Sequence, residues 1–196
     1  QGAGLMHIAA SSGNEKLTKF LKDKGLSFAG IDCDGNSVLH YANVNTIKQC
    51  LTAKININCT NFHGKTPLHL ACAQSDSKRK NMVRIAEKLI EKNANIDALD
   101  NQLETPLSLA IKNNAPEMIS LLLAKNADPN LPNSRGETPI DFLRRSPAFE
   151  TLEGLFQSPP IAHFKPWRQA KEEEELAQKA QELKEQADRY AKVCQI

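Results

Sequence analysis

Large aromatic side chains are scarce. Phenylalanine, tyrosine and tryptophan together make up 5% of the 196 residues, with a single tryptophan. A core built around packed rings is therefore not expected. Charge of one sign is lacking as well: charged residues are 24% of the chain, yet the net charge is +2. That gives no strong pull toward nucleic acid or an anionic membrane surface. Long apolar runs are missing. Ile119 to Ala124 is among the longest and already contains a serine, whereas a membrane span needs about 20 residues. The five cysteines (Cys33, Cys50, Cys59, Cys72 and Cys194) are odd in number and scattered. This argues against a disulfide framework and for reduced thiols in a cytosolic setting. Gln1-Gly2 is not a natural start, so the chain is read as cut from a longer protein.

What the sequence does have is a repeat. Gly2-Ala3-Gly4-Leu5-Met6-His7-Ile8-Ala9-Ala10 returns as Gly35-Asn36-Ser37-Val38-Leu39-His40-Tyr41-Ala42. It returns again as Gly64-Lys65-Thr66-Pro67-Leu68-His69-Leu70-Ala71, Leu103-Glu104-Thr105-Pro106-Leu107-Ser108-Leu109-Ala110 and Gly136-Glu137-Thr138-Pro139-Ile140-Asp141-Phe142-Leu143. The spacings are 33, 29, 39 and 33 residues. A second phrase follows the inner copies: Ile55-Asn56-Ile57-Asn58, Ala94-Asn95-Ile96-Asp97 and Ala127-Asp128-Pro129-Asn130.

Local chemistry predicts two short helices per unit. Thr66 stands where an N-cap hydroxyl is needed, and Pro67 follows at the first helical position, where its missing N–H costs nothing. A second helix is marked by Leu17, Phe20 and Leu21, by Met82, Ile85, Ala86, Leu89 and Ile90, and by Met118, Leu121 and Leu122, all at helical spacing. Gly25, Asn93 and Asn126 stand where a left-handed residue ends a helix. Such units are too small to bury their own apolar faces and must stack on neighbours.

Two phrases in fixed order at a period near 33, with Thr66-Pro67-Leu68-His69 intact, resemble the ankyrin repeat. The resemblance implies an all-α ankyrin-repeat solenoid, helix-turn-helix units with β-hairpin-like fingers, followed by a C-terminal helix. The array is placed at residues 1–157, with repeats at 1–31, 32–60, 61–99, 100–132 and 133–157. Departures from the pattern carry expectations of their own. The second unit is about four residues short between Ala42 and Lys54, so its helices or their connection should be truncated. The third carries an insertion, Ser75 to Lys80, between its helices. Ser108 and Asp141 replace the histidine that the family uses to bridge repeats, which implies weaker joints there. The first unit lacks Thr and Pro, as a truncated or capping repeat does. Phe149, Leu152, Leu155 and Phe156 are expected to cap the other end.

The tail is a different object. Residues 158–167 form a Pro-rich linker with Pro159, Pro160 and Pro166. Residues 168–196 are expected to form a charged helix, acidic at its start and basic at its end, with i,i+4 ion pairs. Its seam of Leu176, Ala180, Leu183, Ala187, Tyr190 and Cys194 is thin and half alanine. It either caps the array or pairs with another chain. A monomer is expected, with weak association through the tail.

Little in the sequence points to catalysis. Cys59, His63, His69 and Cys72 have ligand types that suit zinc, but His69 belongs to the repeat motif and Cys72 falls on the inner helix. Cys33 near His7 or His63 has no oxyanion device beside it. Gly13-Asn14 is a turn between helices, not a phosphate loop. Lys78-Arg79-Lys80 reads as a solvated loop or as a weak acidic-partner signal. No metal, cofactor or enzymatic activity is expected, nor nucleic acid or membrane binding. Leu122, Asp128 and Asn130 resemble the ankyrin repeats modified by asparaginyl hydroxylases, and a hydrogen-bonding turn asparagine is the alternative for Asn130.

The resemblance also implies a binding surface. Ankyrin arrays resemble a cupped hand that takes protein partners on its fingertips and inner helices. On the fingers the corresponding residues are Cys33, Asp34 and Asn36; Phe62, His63 and Lys65; Asn101, Gln102 and Glu104; and Ser134, Arg135 and Glu137. On the helices they are Ser11, Ser12, Ala73, Gln74, Lys112 and Asn113, with Arg144 and Arg145 in the most divergent unit. Phe62 is the expected anchor, unless its ring packs on a neighbouring finger; Arg135 is second, unless it is a solvated surface charge. The expected function is protein–protein recognition. Two alternatives stand beside it: the targeting part of a larger effector with a catalytic domain upstream, and a scaffold oligomerised by its tail. The excess of lysine over arginine, 18 to 7, and the 16 asparagines fit an intracellular bacterium that secretes ankyrin proteins into the cytosol of its host.

Overall fold

The computed structural model describes residues 3–53, 55–73, 79–145 and 181. The chain divides into two units, Gln1–Leu155 and Phe156–Ile196; in the second, only Gln181 is described, helical and exposed. The expected linker, tail helix and C-terminal cap lie outside the described residues. So do Gln74 and most of the insertion after it.

The first unit is a succession of short helix pairs. They run α1 (Ala3–Ser12), α2 (Glu15–Asp23), a 3-10 helix (Val38–Tyr41), α3 (Ile47–Leu51), α4 (Pro67–Cys72), α5 (Arg79–Glu91), α6 (Pro106–Lys112), α7 (Pro116–Ala124) and α8 (Pro139–Arg145). Inner helices pack on their neighbours: α1 on the 3-10 helix, that helix on α4, α4 on α6 and α6 on α8. Among outer helices, α5 packs on α7. Met6, Leu39, Leu68 and Leu107 occupy one register position and are buried in each of four repeats. Ala9, Ala42, Ala71 and Ala110 follow three residues later, also buried. Their small size lets antiparallel helices approach closely.

The termini follow the local chemistry. The Thr66 and Thr105 hydroxyls accept from the N–H groups of His69 and Ser108 at 3.4 and 3.1 Å, ahead of Pro67 and Pro106. Gly25, Asn93 and Asn126 are left-handed, at φ 87°, 65° and 64°. The second repeat is truncated as expected, to a four-residue 3-10 helix and a five-residue α-helix. Its Thr46 hydroxyl donates to the Ala10 carbonyl at 2.7 Å, and the Asn43 N–H reaches the same oxygen at 3.3 Å. These bonds satisfy backbone that a longer helix would cover. One expectation is corrected. Arg79 and Lys80 open α5 rather than standing in a loop; the helix extends toward the insertion because Lys, Asn and Met all favour or tolerate helix there.

Candidate functional site

The fingers between repeats are built alike. Each begins with a short side-chain acceptor: Asp32, Asn61, Asp100 or Asn133. Its Oδ1 accepts from backbone N–H groups two and four residues on, at 2.8–3.0 Å. The N–H of the same residue donates to the carbonyl four residues ahead, which closes the turn. Adjacent fingers are then joined by backbone. Phe62 N–H donates to the Asp34 carbonyl at 3.0 Å, Asn101 to His63 at 3.1 Å and Ser134 to Gln102 at 2.9 Å. The backbone is thus engaged at every finger, while the side chains of Cys33, Asp34, Phe62, His63, Asn101, Gln102, Ser134 and Arg135 stand exposed.

Two of the expected contact positions are buried. Asn36 is buried: its amide donates to Asp32 and to the Tyr41 hydroxyl at 3.1 Å each, and its Oδ1 accepts from Asn61 at 2.8 Å. Glu104 is buried too, in an ion pair with Lys112 and a 2.9 Å bond from Asn133. In both, the side chain turns inward because a polar group of the next finger stands within reach. Lys65 and Glu137 are half-buried; Lys65 lies 3.9 Å from Asp100, and Glu137 pairs with Arg145 at 2.8 Å.

Phe62 combines both of its expected roles. Its ring lies over Gly35, where a Cβ would approach within 2.7 Å, yet the residue is 66% exposed. The glycine at 35, itself at φ 77°, makes room for an aromatic that the rest of the surface leaves uncovered.

Sequence reasoning missed Leu103. It takes the turn position held by Gly35, Gly64 and Gly136 in the other fingers, adopts φ 57° and remains exposed. The signal was present as the one non-glycine at that place. A left-handed L-residue costs about 1–2 kcal/mol, and glycine's larger unfolded-state entropy offsets about 0.4–1 kcal/mol of the relief. Leu103→Gly is therefore expected to stabilise the fold by up to about 1 kcal/mol, raising Tm by roughly 2–4 °C; calorimetry checks it.

The inner helices contribute a second row. The Ser11 and Ser12 hydroxyls donate back to the Ile8 and Ala9 carbonyls, and Ala73 ends α4. Lys112 lies 4.1 Å from the Phe142 ring centre while paired to Glu104, and the Asn113 amide donates to Leu109 at 2.8 Å. Arg144 stands 3.5 Å from Asp141. Beside this row the short second repeat leaves a cleft of about 220 Å³, lined by Tyr41, Leu70 and Met82 among others.

Histidines couple the repeats. The Nε2 atoms of His7, His40 and His69 lie 2.9, 2.9 and 3.0 Å from the carbonyls of Asn36, Lys65 and Glu104 in the next repeat. In His40 and His69, Nδ1 accepts from the N–H of Ser37 and Thr66. The proton therefore sits on Nε2, and a second proton on Nδ1 would face an N–H group. Burial lowers the pKa of both rings from 6.5, outweighing their bonds to carbonyls and the nearby Asp32 or Asp100. The unfolded chain thus takes up protons first as pH falls. Stability is expected to be full above about pH 6.5 and to decline progressively below it; urea midpoints across pH 7.5 to 5 (roughly a unit either side of the free imidazole pKa) test this. Unchanged midpoints would refute it.

The metal-type residues are committed elsewhere. His69 engages both ring nitrogens, Cys72 is fully buried on α4, and the Cys59 thiol lies 3.1 Å from the Ser37 hydroxyl. Burial pushes the Cys50 thiol up to about 12, and it raises Cys59 and Cys72 as well; none of these three is an activated nucleophile. Among the described residues no helix is long and apolar enough to cross a membrane. Asn130 is exposed, its N–H donating to Asp128 at 2.8 Å.

Comparison with known proteins agrees with this geometry. Residues 43–133 match the family described as ankyrin repeats, in three copies. The chain is 31% identical over 149 residues to the Drosophila melanogaster tyrosine-protein kinase Shark, covering 72% of this chain and 15% of that protein. It is 30% identical over 132 residues to transient receptor potential cation channel subfamily A member 1 of the same species, covering 64% of this chain and 11% of that one. It is 26% identical over 140 residues to the Gallus gallus nuclear factor NF-kappa-B p105 subunit, covering 67% and 14%. The chain thus spans about a seventh or less of the length of these relatives. With histidine bridges, zipped fingers and paired helices in register, it belongs to the ankyrin-repeat family.

Proposed function

We propose that this array recognises a partner protein through its exposed fingertips and the adjoining inner-helix row. One observation carries the reading: every finger's backbone is fixed by internal hydrogen bonds while its tip side chains stand exposed. That is a rigid support presenting exposed side chains, which lowers the ordering cost of binding. Phe62 and Leu103 offer apolar contact, and Arg135 a charge. The cleft beside Tyr41 is sized for one partner side chain. Asn113 and Lys112 supply polar contacts on the inner-helix row, and Gln102 on a finger.

A second reading is supported by the lengths of the relatives. Each matched protein is much longer than the matched segment, so the array fits a targeting part within a larger protein, an effector included. The experiment is an affinity capture with the intact chain beside a Phe62→Ala, Arg135→Ala double variant of matched Tm. A protein enriched on the first and lost on the second supports fingertip recognition. Equal recovery on both sinks it.

A further inference from the structure

The first repeat is open on its outer side. Leu5 is 56% exposed and Leu17 38%. Their register counterparts are buried in later repeats: Val38, Pro67, Pro106 and Pro139 for Leu5, and Ile85 and Met118 for Leu17. Among those counterparts, Pro67, Ile85 and Met118 line spaces shared with the repeat before them. Ile85 lines a space with Leu39 and Ala42 of the preceding repeat, and Met118 one with Cys72 and Val83. Leu21 is only half-buried, whereas Leu89 and Leu122 at the same position are fully buried. Ile8 and Phe20 extend the apolar face, at 63% and 56% exposed. A terminal cap turns a polar face outward. This repeat does not, so the capping role expected for it is corrected.

We infer that this face is a repeat-stacking interface and that its occupant is one further ankyrin-type repeat. The argument is continuity. The surface presented by α1 and α2 corresponds in register to the one that the third and fourth repeats lay against their predecessors. The occupant must therefore present what those predecessors present: small side chains on an inner helix, as at Ala9-Ala10 or Ala71-Cys72, packed beside an apolar outer helix.

The test is to extend the chain ahead of Ala3 with an idealised ankyrin repeat whose far face is polar. Amide exchange in α1 and α2 is expected to slow at least about tenfold. Leu17→Glu supplies the control. In the unextended chain it should move Tm by no more than about 2 °C, as an exposed position does. In the extended chain it should abolish the added protection. No slowing, a lowered Tm on extension, or a Leu17→Glu effect equal in both chains would overturn the inference. So would concentration-dependent dimerisation of the unextended chain that Leu17→Glu disperses, because the occupant would then be a second copy.

Discussion

Phe62→Ala is expected to weaken partner binding by about 2 kcal/mol or more, roughly thirtyfold in Kd. The reason is the combination of a large ring, high exposure and a fixed base. The ring rests on Gly35, and its backbone N–H is bonded to Asp34, so little entropy is lost when a partner covers it. The fold should lose much less. A ring that is 66% exposed contributes only its covered third, on the order of 1 kcal/mol at about 25 cal/mol per Å². Titration calorimetry with the captured partner gives the first number and urea unfolding the second. A loss confined to stability would assign the ring to finger packing alone. Gly35→Ala offers a complementary check, since its Cβ would meet the ring and displace it.

His69→Ala is expected to cost about 3–5 kcal/mol of stability, the largest effect of any single change considered. It removes the partner of the buried Thr66 N–H and the donor that joins the repeats at the Glu104 carbonyl, which keeps its bond from the Asp100 N–H. The unsatisfied Thr66 N–H costs about 1–3 kcal/mol, the lost bridge about 1 kcal/mol, and the cavity left by the ring adds to that. Ser108→Ala should cost only about 1 kcal/mol. Its hydroxyl meets only Thr105 of its own repeat, at 3.1 Å, and among the described bonds none carries it to the next repeat. That joint is held instead by Asn133 bonded to Glu104 and by Ser134 bonded to Gln102. The contrast is read from urea midpoints at constant m-value. Equal costs for the two changes would remove the histidine from its bridging role.

Much of the fold was legible because its determinants are local. Thr66-Pro67 and Thr105-Pro106 start helices by their own hydroxyls and ring geometry, and Asn93 and Asn126 end them. The short second repeat was visible as missing residues, and its weakness as a helix followed. The site was less legible. Asn36 and Glu104 occupy the same motif position as Lys65 and Glu137, yet the first two are buried and the last two only partly so. The difference lies in residues some 25 to 29 positions away, Asn61 and Asn133, which reach back to hydrogen-bond them. No local pattern contains that information.

The sequence alone therefore determined the repeat and most of its helix starts and stops, since capping, periodicity and left-handed turns act within a few residues of chain, while the histidine bridges were implied by the family resemblance. Only the tertiary structure decided which finger side chains face outward, that Leu103 is held at positive φ, and that the first repeat keeps an open apolar face. Those outcomes depend on what the adjacent repeat supplies across the joint, a contact between residues distant in sequence, and burial is a property of that pair rather than of either segment.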